Sequence, residues 1–289
     1  MDNIELAFIG GSGIYKIPGF EDYEWLNIKS NFGVPSSKIC VGNLNKKKIA
    51  FLPRHGTQHN ISPTKINYKA NIECLKKLNV KNIISISAVG SLREDFKPGE
   101  FVLVDQYIDR TTQREQSFFN EGIVAHIQFS DPICKNLKKL SKKILSEQKI
   151  NYHENGTYVC IEGPQFSSLA ESQLYRSWGC DVIGMTNIPE AKLAKEAGIC
   201  YASLCMVTDY DCWHPKHDQV SVNEIIKTLN QNSKKAIKFI KNICNEKKIL
   251  CDLSSEKVLK DAIITNIDKI PEKLKLKFRN ILPKNESRE

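Results

Sequence analysis

The sequence has no apolar run long enough to cross a membrane. Although 41% of its 289 residues are hydrophobic, no stretch approaches the ~18 consecutive apolar residues that a transmembrane helix needs. The N-terminal segment 1–6 carries acidic residues and no basic cluster ahead of an apolar stretch, so no secretory signal peptide is predicted. We therefore expect a cytoplasmic protein with no membrane partner.

The ten cysteines do not follow a zinc-binding pattern. They are spread from Cys40 to Cys251 without a Cys-x-x-Cys pair and without clustering with histidine, whereas structural zinc sites use such close spacings. Without a secretory signal, the ordinary interpretation is reduced thiols in the core. The sequence thus predicts neither a structural metal nor a structural disulfide.

A nucleic-acid-binding face is also missing from the main part of the chain, despite the net charge of +9. Residues 227–289 hold 16 Lys or Arg against 8 Asp or Glu, whereas residues 1–226 hold 26 against 25. Lysines spaced among Ile and Leu in such a tail are typical of the solvated face of amphipathic helices. Binding of nucleic acid would call for interleaved aromatics or a recognised module, so we expect no nucleic-acid partner.

The chain lacks internal repeats and linkers, and short apolar strands alternate with segments of helical spacing, as in α/β proteins. We expect one α/β catalytic domain over residues 1–245, with helices on both faces of the sheet. A basic helical tail over 246–289 should pack on this domain or on a neighbouring subunit. Strands are predicted at 6–9, 39–44, 48–53, 83–89, 101–107, 158–161, 181–183 and 199–207. Helices are predicted at 66–78, 133–149, 168–178, 188–197 and 221–243, with shorter ones after 255.

Hydrogen-bond donors cluster at the ends of the predicted strands, where α/β proteins place ligands. Gly10-Gly11-Ser12-Gly13 lacks the third glycine of a dinucleotide loop, which leaves a small-anion site or a plain tight turn. Further donors follow other strands: Arg54-His55, Ser87 and Thr186. The guanidinium group of an arginine presents two parallel N–H donors that match two phosphate oxygens. Together with hydroxyl donors from other strand ends, it predicts a site in which an oxyanion is contacted from several sides.

Asp209 and Asp211 lie directly after the apolar strand 199–207. Two carboxyl groups there can bind a metal or hold a purine, and the metal interpretation is poorer because only two nearby histidines offer further ligands. With a purine, one carboxyl group can donate a proton toward N7 while the other accepts from an exocyclic amine. Because a carboxylate repels the 6-carbonyl of guanine or hypoxanthine, the pair favours adenine.

An aromatic ring stands in the turn 162–168, which follows the strand 158–161. Phe166 is either a core anchor or a surface on which a flat base stacks. Ser167, the next residue, could supply polar contacts to the same base. Both alternatives are open at the level of sequence.

A series of motifs, in this order, resembles the methylthioadenosine phosphorylases, within the trimeric class of purine nucleoside phosphorylases. The resemblance covers roughly residues 4–245. It implies the nucleoside phosphorylase fold, a central mixed β-sheet that is partly barrel-like and flanked by helices on both faces. The motifs are Gly10-Gly11-Ser12-Gly13, Arg54-His55-Gly56, Asn67 to Asn71, Ser91 to Glu94, Asp105 to Thr111, Ile161 to Pro164, Met185-Thr186 with Pro189-Glu190, and Thr208 to Trp213.

The resemblance implies phosphorolysis of methylthioadenosine to adenine and 5-methylthioribose 1-phosphate, in a homotrimer and without a cofactor. It also implies roles for individual residues. Phosphate would be held by Ser12, Arg54, His55, Ser87, Ala88 and Thr186. The nucleoside would be bound by Phe166, Ser167, Met185, Asp209, Tyr210 and Asp211, with Asp209 and Asp211 catalytic. The 5′-alkylthio group would lie against Val222, Ile225 and Ile226, completed by His126 of the adjacent subunit and Ile281 of the tail.

The sequence departs from the family pattern at a few positions, and other functions remain open. Ser12 and Ser87 stand where threonine is common, Gln165 replaces a frequent arginine, and Gly184 replaces an asparagine found in many members. One alternative is a purine nucleoside phosphorylase for inosine, guanosine or 5′-methylthioinosine. Another, of a different class, is a non-catalytic nucleotide- or RNA-binding module.

Overall fold

A computed structural model describes residues 4–11, 17–215, 222–251 and 253–283. Among these residues it has nine strands and seven α-helices. The strands are β1 (Leu6–Gly10), β2 (Phe20–Leu26), β3 (Ile39–Leu44), β4 (Lys47–Pro53), β5 (Asn82–Ser91), β6 (Phe101–Arg110), β7 (Tyr152–Ile161), β8 (Val182–Gly184) and β9 (Cys200–Asp209). The helices are α1 (Tyr68–Lys77), α2 (Lys135–Glu147), α3 (Leu169–Ser177), α4 (Asn187–Glu196), α5 (Val222–Ile243), α6 (Ser255–Leu259) and α7 (Glu272–Phe278).

The nine strands form one mixed sheet, part of which closes into a barrel. The strand order is β2-β3-β4-β1-β5-β8-β7-β6-β9, and a further pairing between β5 and β9 closes five strands into a ring. Strands β4, β1, β5 and β9 run parallel to one another. Their carboxyl ends therefore meet at one edge, which is where Arg54, after β4, and Asp209, at the end of β9, lie.

The core is formed by strands that are apolar on both faces. Every residue of β1 is buried, as is nearly all of β9, because helices cover the sheet on both sides. The tail shares this core, since Ile249, Leu259 and Phe278 are buried in the same hydrophobic cluster. The tail thus packs on its own chain, which is one of the two arrangements that the sequence leaves open.

The hairpin of β3 and β4 and the later strands and helices follow the predicted order, with differences at their ends. The sequence prediction misses β2, because its residues FEDYEWL are mostly polar and exposed. It is an edge strand, so it has no second buried face to produce an apolar pattern. Strand β7 also begins earlier than predicted, since its first half is polar and partly exposed.

The structure corrects the expectation that all cysteines are reduced. Cys200, the first residue of β9, forms a disulfide with Cys251, which lies 51 positions further along the chain. The pairing depends on how the tail folds back onto the sheet, and sequence spacing carries no sign of that. Among the helices that the structure describes, none combines the length and apolar character needed to span a bilayer.

Candidate active site

A cavity of about 720 Å³ opens at the carboxyl ends of β4, β5 and β9. Its size is within the range of small-molecule sites. Most of the sequence-predicted site residues line it together. They are Arg54, His55, Ser87, Ala88, Phe166, Ser167, Met185, Thr186, Asp209, Asp211, Ile225 and Ile226.

Three of the described site residues predicted from sequence are not among those that line the cavity. The ring of Tyr210 stacks on His214 at 4.7 Å, and its hydroxyl donates to the Glu94 carbonyl. Ile281 is fully buried in the core of its own chain, away from the residues that line the cavity. His126 is exposed at the surface. Ser12 and the side chain of Val222 lie outside the described residues.

Arg54 is held by a buried ion pair beside the cavity. Its Nε and Nη2 donate to the two carboxylate oxygens of Glu190 at 2.8 and 3.0 Å, and both side chains are 2% exposed. Nη2 also donates to Ser85 Oγ, whereas Nη1 has a long contact of 3.5 Å with the Ile86 carbonyl oxygen. The Arg fork expected for phosphate is therefore occupied by Glu190, which leaves Nη1 as the nitrogen available to an anion.

His55 is neutral at pH 7 and its tautomer is fixed by a backbone contact. Its Nδ1 lies 2.8 Å from the Ile61 carbonyl oxygen, so Nδ1 carries the proton. Burial, helped by the neighbouring positive charge of Arg54, lowers the His55 pKa to about 4. In this state Nε2 carries a lone pair and can accept a hydrogen bond, as from a protonated phosphate oxygen.

The two aspartates are held in different ways at the end of β9. Asp209 Oδ1 accepts from the Asp211 amide at 2.8 Å, and its Oδ2 accepts from the Thr208 hydroxyl at 2.7 Å. Both oxygens of Asp211 lie within 3.2 Å of the Ser167 hydroxyl. Burial raises the pKa of each aspartate above its ordinary value. This environment favours the presence of a proton on the pair.

Two residues that the sequence prediction missed hold the cavity walls from behind. Arg114 donates from Nη1 to the carbonyl oxygens of Met185 and Ile188, at 2.6 and 2.7 Å, and from Nη2 to that of Glu162. Asn187 donates from Nδ2 to Ser87 Oγ at 3.1 Å. Asn187 follows the predicted donor Thr186, but its partner Ser87 lies 100 positions away, and Arg114 lies 71 positions from Met185, so local sequence shows neither contact.

The glycine at position 184 has a steric explanation. A Cβ atom built on Gly184 would overlap the hydroxyl of Tyr158. This hydroxyl accepts from the Thr186 amide at 3.3 Å. Tyr158 therefore excludes any side chain from position 184 and supports the backbone beside Thr186.

The cavity is surrounded by carboxyl groups, hydroxyl donors and an aromatic ring, and it lies in a mixed sheet that is partly closed into a barrel. Together these features define a site of the nucleoside phosphorylase type. A model of the phosphorylase superfamily matches residues 5–245. The S-methyl-5′-thioadenosine phosphorylase of Koribacter versatilis (strain Ellin345) is 49% identical over 282 residues, covering 97% of this chain and 96% of the relative. The protein of the same name from Rhodospirillum rubrum is also 49% identical, over 267 residues and 91% of each chain. The chain belongs to the S-methyl-5′-thioadenosine phosphorylase family of the phosphorylase superfamily.

Solved structures agree with this assignment. A methylthioadenosine phosphorylase from an Antarctic soil metagenomic library superposes with a TM-score of 0.91 at 41% identity, covering 98% of this chain and 100% of that one. The methylthioadenosine phosphorylase of Schistosoma mansoni, in complex with adenine, superposes with a TM-score of 0.80 at 30% identity, covering 84% and 91%. The predicted fold class and family are thus confirmed.

Proposed function

We propose that the protein is a pentosyltransferase that cleaves S-methyl-5′-thioadenosine with inorganic phosphate, releasing adenine and 5-methylthioribose 1-phosphate. The observation that carries the proposal is the meeting of buried aspartates and hydroxyl donors in one cavity. The relatives named above bear the same activity in their names. Phosphorolysis of inosine or guanosine and a non-catalytic RNA-binding role are not favoured.

Phosphate is the nucleophile in this reaction, so no metal or organic cofactor is required. As the N-glycosidic bond stretches, positive charge grows on the ribosyl carbon, and a phosphate held about 3 Å away stabilises and then captures it. Ser87 and Thr186 supply hydroxyl groups, and Arg54 supplies Nη1. Because Glu190 neutralises Arg54, neutral donors carry a large share of phosphate binding in this proposal.

The departing adenine gains negative charge, which a proton from Asp209 would neutralise at N7. Asp209 Oδ1 is committed to the Asp211 amide, so Oδ2 is the atom that can carry the proton. Its partner Thr208 has a second acceptor, the Val89 carbonyl oxygen at 3.2 Å. The Thr208 hydroxyl can therefore turn to that carbonyl while Oδ2 is protonated and return once the proton has left.

The other end of the nucleoside would lie against helix α5. Ile225, Ile226 and Leu229 of this helix line the cavity, and Val222 is its first residue. An apolar wall accommodates a methylthio group, whereas a ribose 5′-hydroxyl would lose its hydrogen bonds there. This wall supports methylthioadenosine over adenosine and inosine.

We extend the proposal to a cytoplasmic homotrimer, with the active site near a subunit border. Large apolar side chains are exposed on and beside α3: Phe166, Leu169, Leu174 and Trp178. An exposed apolar surface of this kind is typical of an interface. His126 would then reach the cavity of the adjacent subunit. Sedimentation of the purified protein as a monomer at micromolar concentration would contradict this part.

The proposed function is tested by comparing methylthioadenosine, adenosine and inosine as substrates, each with and without phosphate. We expect adenine from methylthioadenosine in the presence of phosphate, retained after dialysis against a chelator. Faster cleavage of inosine would assign the enzyme to the 6-oxopurine nucleosides. Absence of turnover with all three would leave a binding role instead.

A further inference from the structure

Asn187, the first residue of α4, lies completely buried behind Ser87. Its Oδ1 accepts hydrogen bonds from the hydroxyls of Tyr107, at 3.1 Å, and Ser203. Its Nδ2 faces Ser87 Oγ at 3.1 Å. The amide thus connects two hydroxyl groups of the interior to one hydroxyl group that lines the cavity.

The orientation of the Asn187 amide, with Oδ1 toward Tyr107 and Ser203, can be decided by asking which acceptors the nearby hydroxyl hydrogens would have in each orientation. If the amide were reversed, its NH₂ would donate to Tyr107 and Ser203, whose own hydrogens would then need other acceptors. Among the described contacts, the acceptors left for these two hydrogens are the hydroxyl oxygens of Tyr107 and Ser203 themselves and the Cys205 sulfur, which lies 3.4 Å from Ser203 Oγ. Sulfur is a weak acceptor, and a buried hydroxyl without a partner is costly. The arrangement with Oδ1 toward Tyr107 and Ser203 is therefore favoured.

This direction determines what Ser87 can do. Because Ser87 Oγ accepts from Asn187, its own hydrogen must point elsewhere. The other protein partner is Thr186 Oγ1 at a long 3.4 Å, and the remaining direction is the cavity. The Ser87 hydrogen is thereby directed to the side of the cavity, where a bound anion is a better acceptor than the distant Thr186 Oγ1.

We propose that Asn187 is a positioning residue for phosphate, acting through Ser87. Tyr107 and Ser203 fix the amide, the amide occupies the acceptor side of Ser87, and Ser87 presents its hydrogen to a phosphate oxygen. The inference rests on the proposed function only in naming phosphate as the anion. Since the Arg54 charge is already matched by Glu190, the orientation of a neutral donor has a measurable share in affinity.

Asn187→Asp tests this directly, because the two side chains have nearly the same shape. A carboxylate accepts from Tyr107, Ser203 and also Ser87, so it draws the Ser87 hydrogen away from phosphate. We expect the phosphate Kd from calorimetry and the phosphate KM to rise about tenfold or more, with the nucleoside KM changed less than about twofold.

The added negative charge could weaken phosphate binding by itself, and a double-mutant cycle with Ser87→Ala separates the two effects. If Asn187 acts through Ser87, Asn187→Asp should raise the phosphate Kd much less in the Ser87→Ala background than in wild type. An equal increase in both backgrounds would mean plain charge repulsion and would overturn the inference.

A charge-free variant covers the case in which Asn187→Asp does not fold. Tyr107→Phe combined with Ser203→Ala removes both groups that fix the amide, and neither residue lines the cavity. We expect a several-fold rise in phosphate Kd with an unchanged nucleoside KM. An unchanged phosphate Kd in this variant would refute the positioning role. A wild type that binds phosphate but releases no adenine would instead refute the proposed function alone.

Discussion

Replacement of Arg54 by methionine should destabilise the fold as well as weaken phosphate binding. The side chains of Arg54 and Glu190 are each 2% exposed and joined by two hydrogen bonds of 2.8 and 3.0 Å. After the change, the Glu190 carboxylate would keep the Tyr201 hydroxyl, at 2.9 Å, but would have lost its counter-charge. Removing one partner of a buried pair costs about 3–5 kcal/mol.

In a protein of 289 residues, each kcal/mol corresponds to roughly 1.6 °C in Tm. We therefore expect Arg54→Met to lower Tm by about 5–8 °C, measured by calorimetry. The matched control is Arg54→Met with Glu190→Gln, which removes both charges and keeps an acceptor for Tyr201. This double variant should regain most of the lost Tm while phosphate KM stays raised. A Tm within about 2 °C of wild type in Arg54→Met would refute the reasoning.

Three further predictions concern the base, the disulfide and pH. Asp211→Asn should narrow the preference for methylthioadenosine over methylthioinosine in kcat/KM by at least about tenfold, because an amide can donate to a 6-carbonyl. Cys251→Ala should cost about 4 kcal/mol in urea unfolding, since the disulfide closes a loop of 51 residues. Burial raises the Glu196 pKa from 4.5 to about 7, so its contribution to stability is full below pH 4.5 and is lost as pH rises to about 7. Glu196→Gln should flatten that part of the stability curve.

Each of these has its own control. Asp105→Asn removes a charge away from the cavity and should leave base preference unchanged, and equal preferences in wild type and Asp211→Asn would count against the base assignment. Dithiothreitol should lower the Tm of wild type but not of Cys251→Ala, and an insensitive wild type would mean that the disulfide is absent in solution. The same slope of stability with pH in wild type and Glu196→Gln would rule out Glu196 as its source.

The edge of the sheet that holds the site can be predicted from sequence, because each cluster is local. Ser87 and Asp209 each lie in or at the end of an apolar strand, and parallel strands bring their carboxyl ends to the same edge. The structure accordingly places both beside one cavity. Strand β2 could not be predicted in the same way, since its polar residues carry no period that marks a buried face.

The partners behind the cavity could not be predicted, because they come from distant parts of the chain. Glu190 lies 136 positions from Arg54, and local sequence cannot show that the Arg fork is already occupied. Ile281 was expected at the substrate on the basis of resemblance, and the packing of the tail buries it instead. Side chains at a strand end are thus predictable, whereas their charge state and hydrogen-bond direction depend on tertiary contacts.

The most direct test of the central claim is the conversion of methylthioadenosine by the purified wild-type protein, followed by chromatography of adenine and by ³¹P NMR. We predict that adenine appears only when phosphate is present and that a sugar 1-phosphate signal grows in equal amount. Adenine release at the same rate without phosphate, with no sugar phosphate formed, would show a hydrolase and contradict the account.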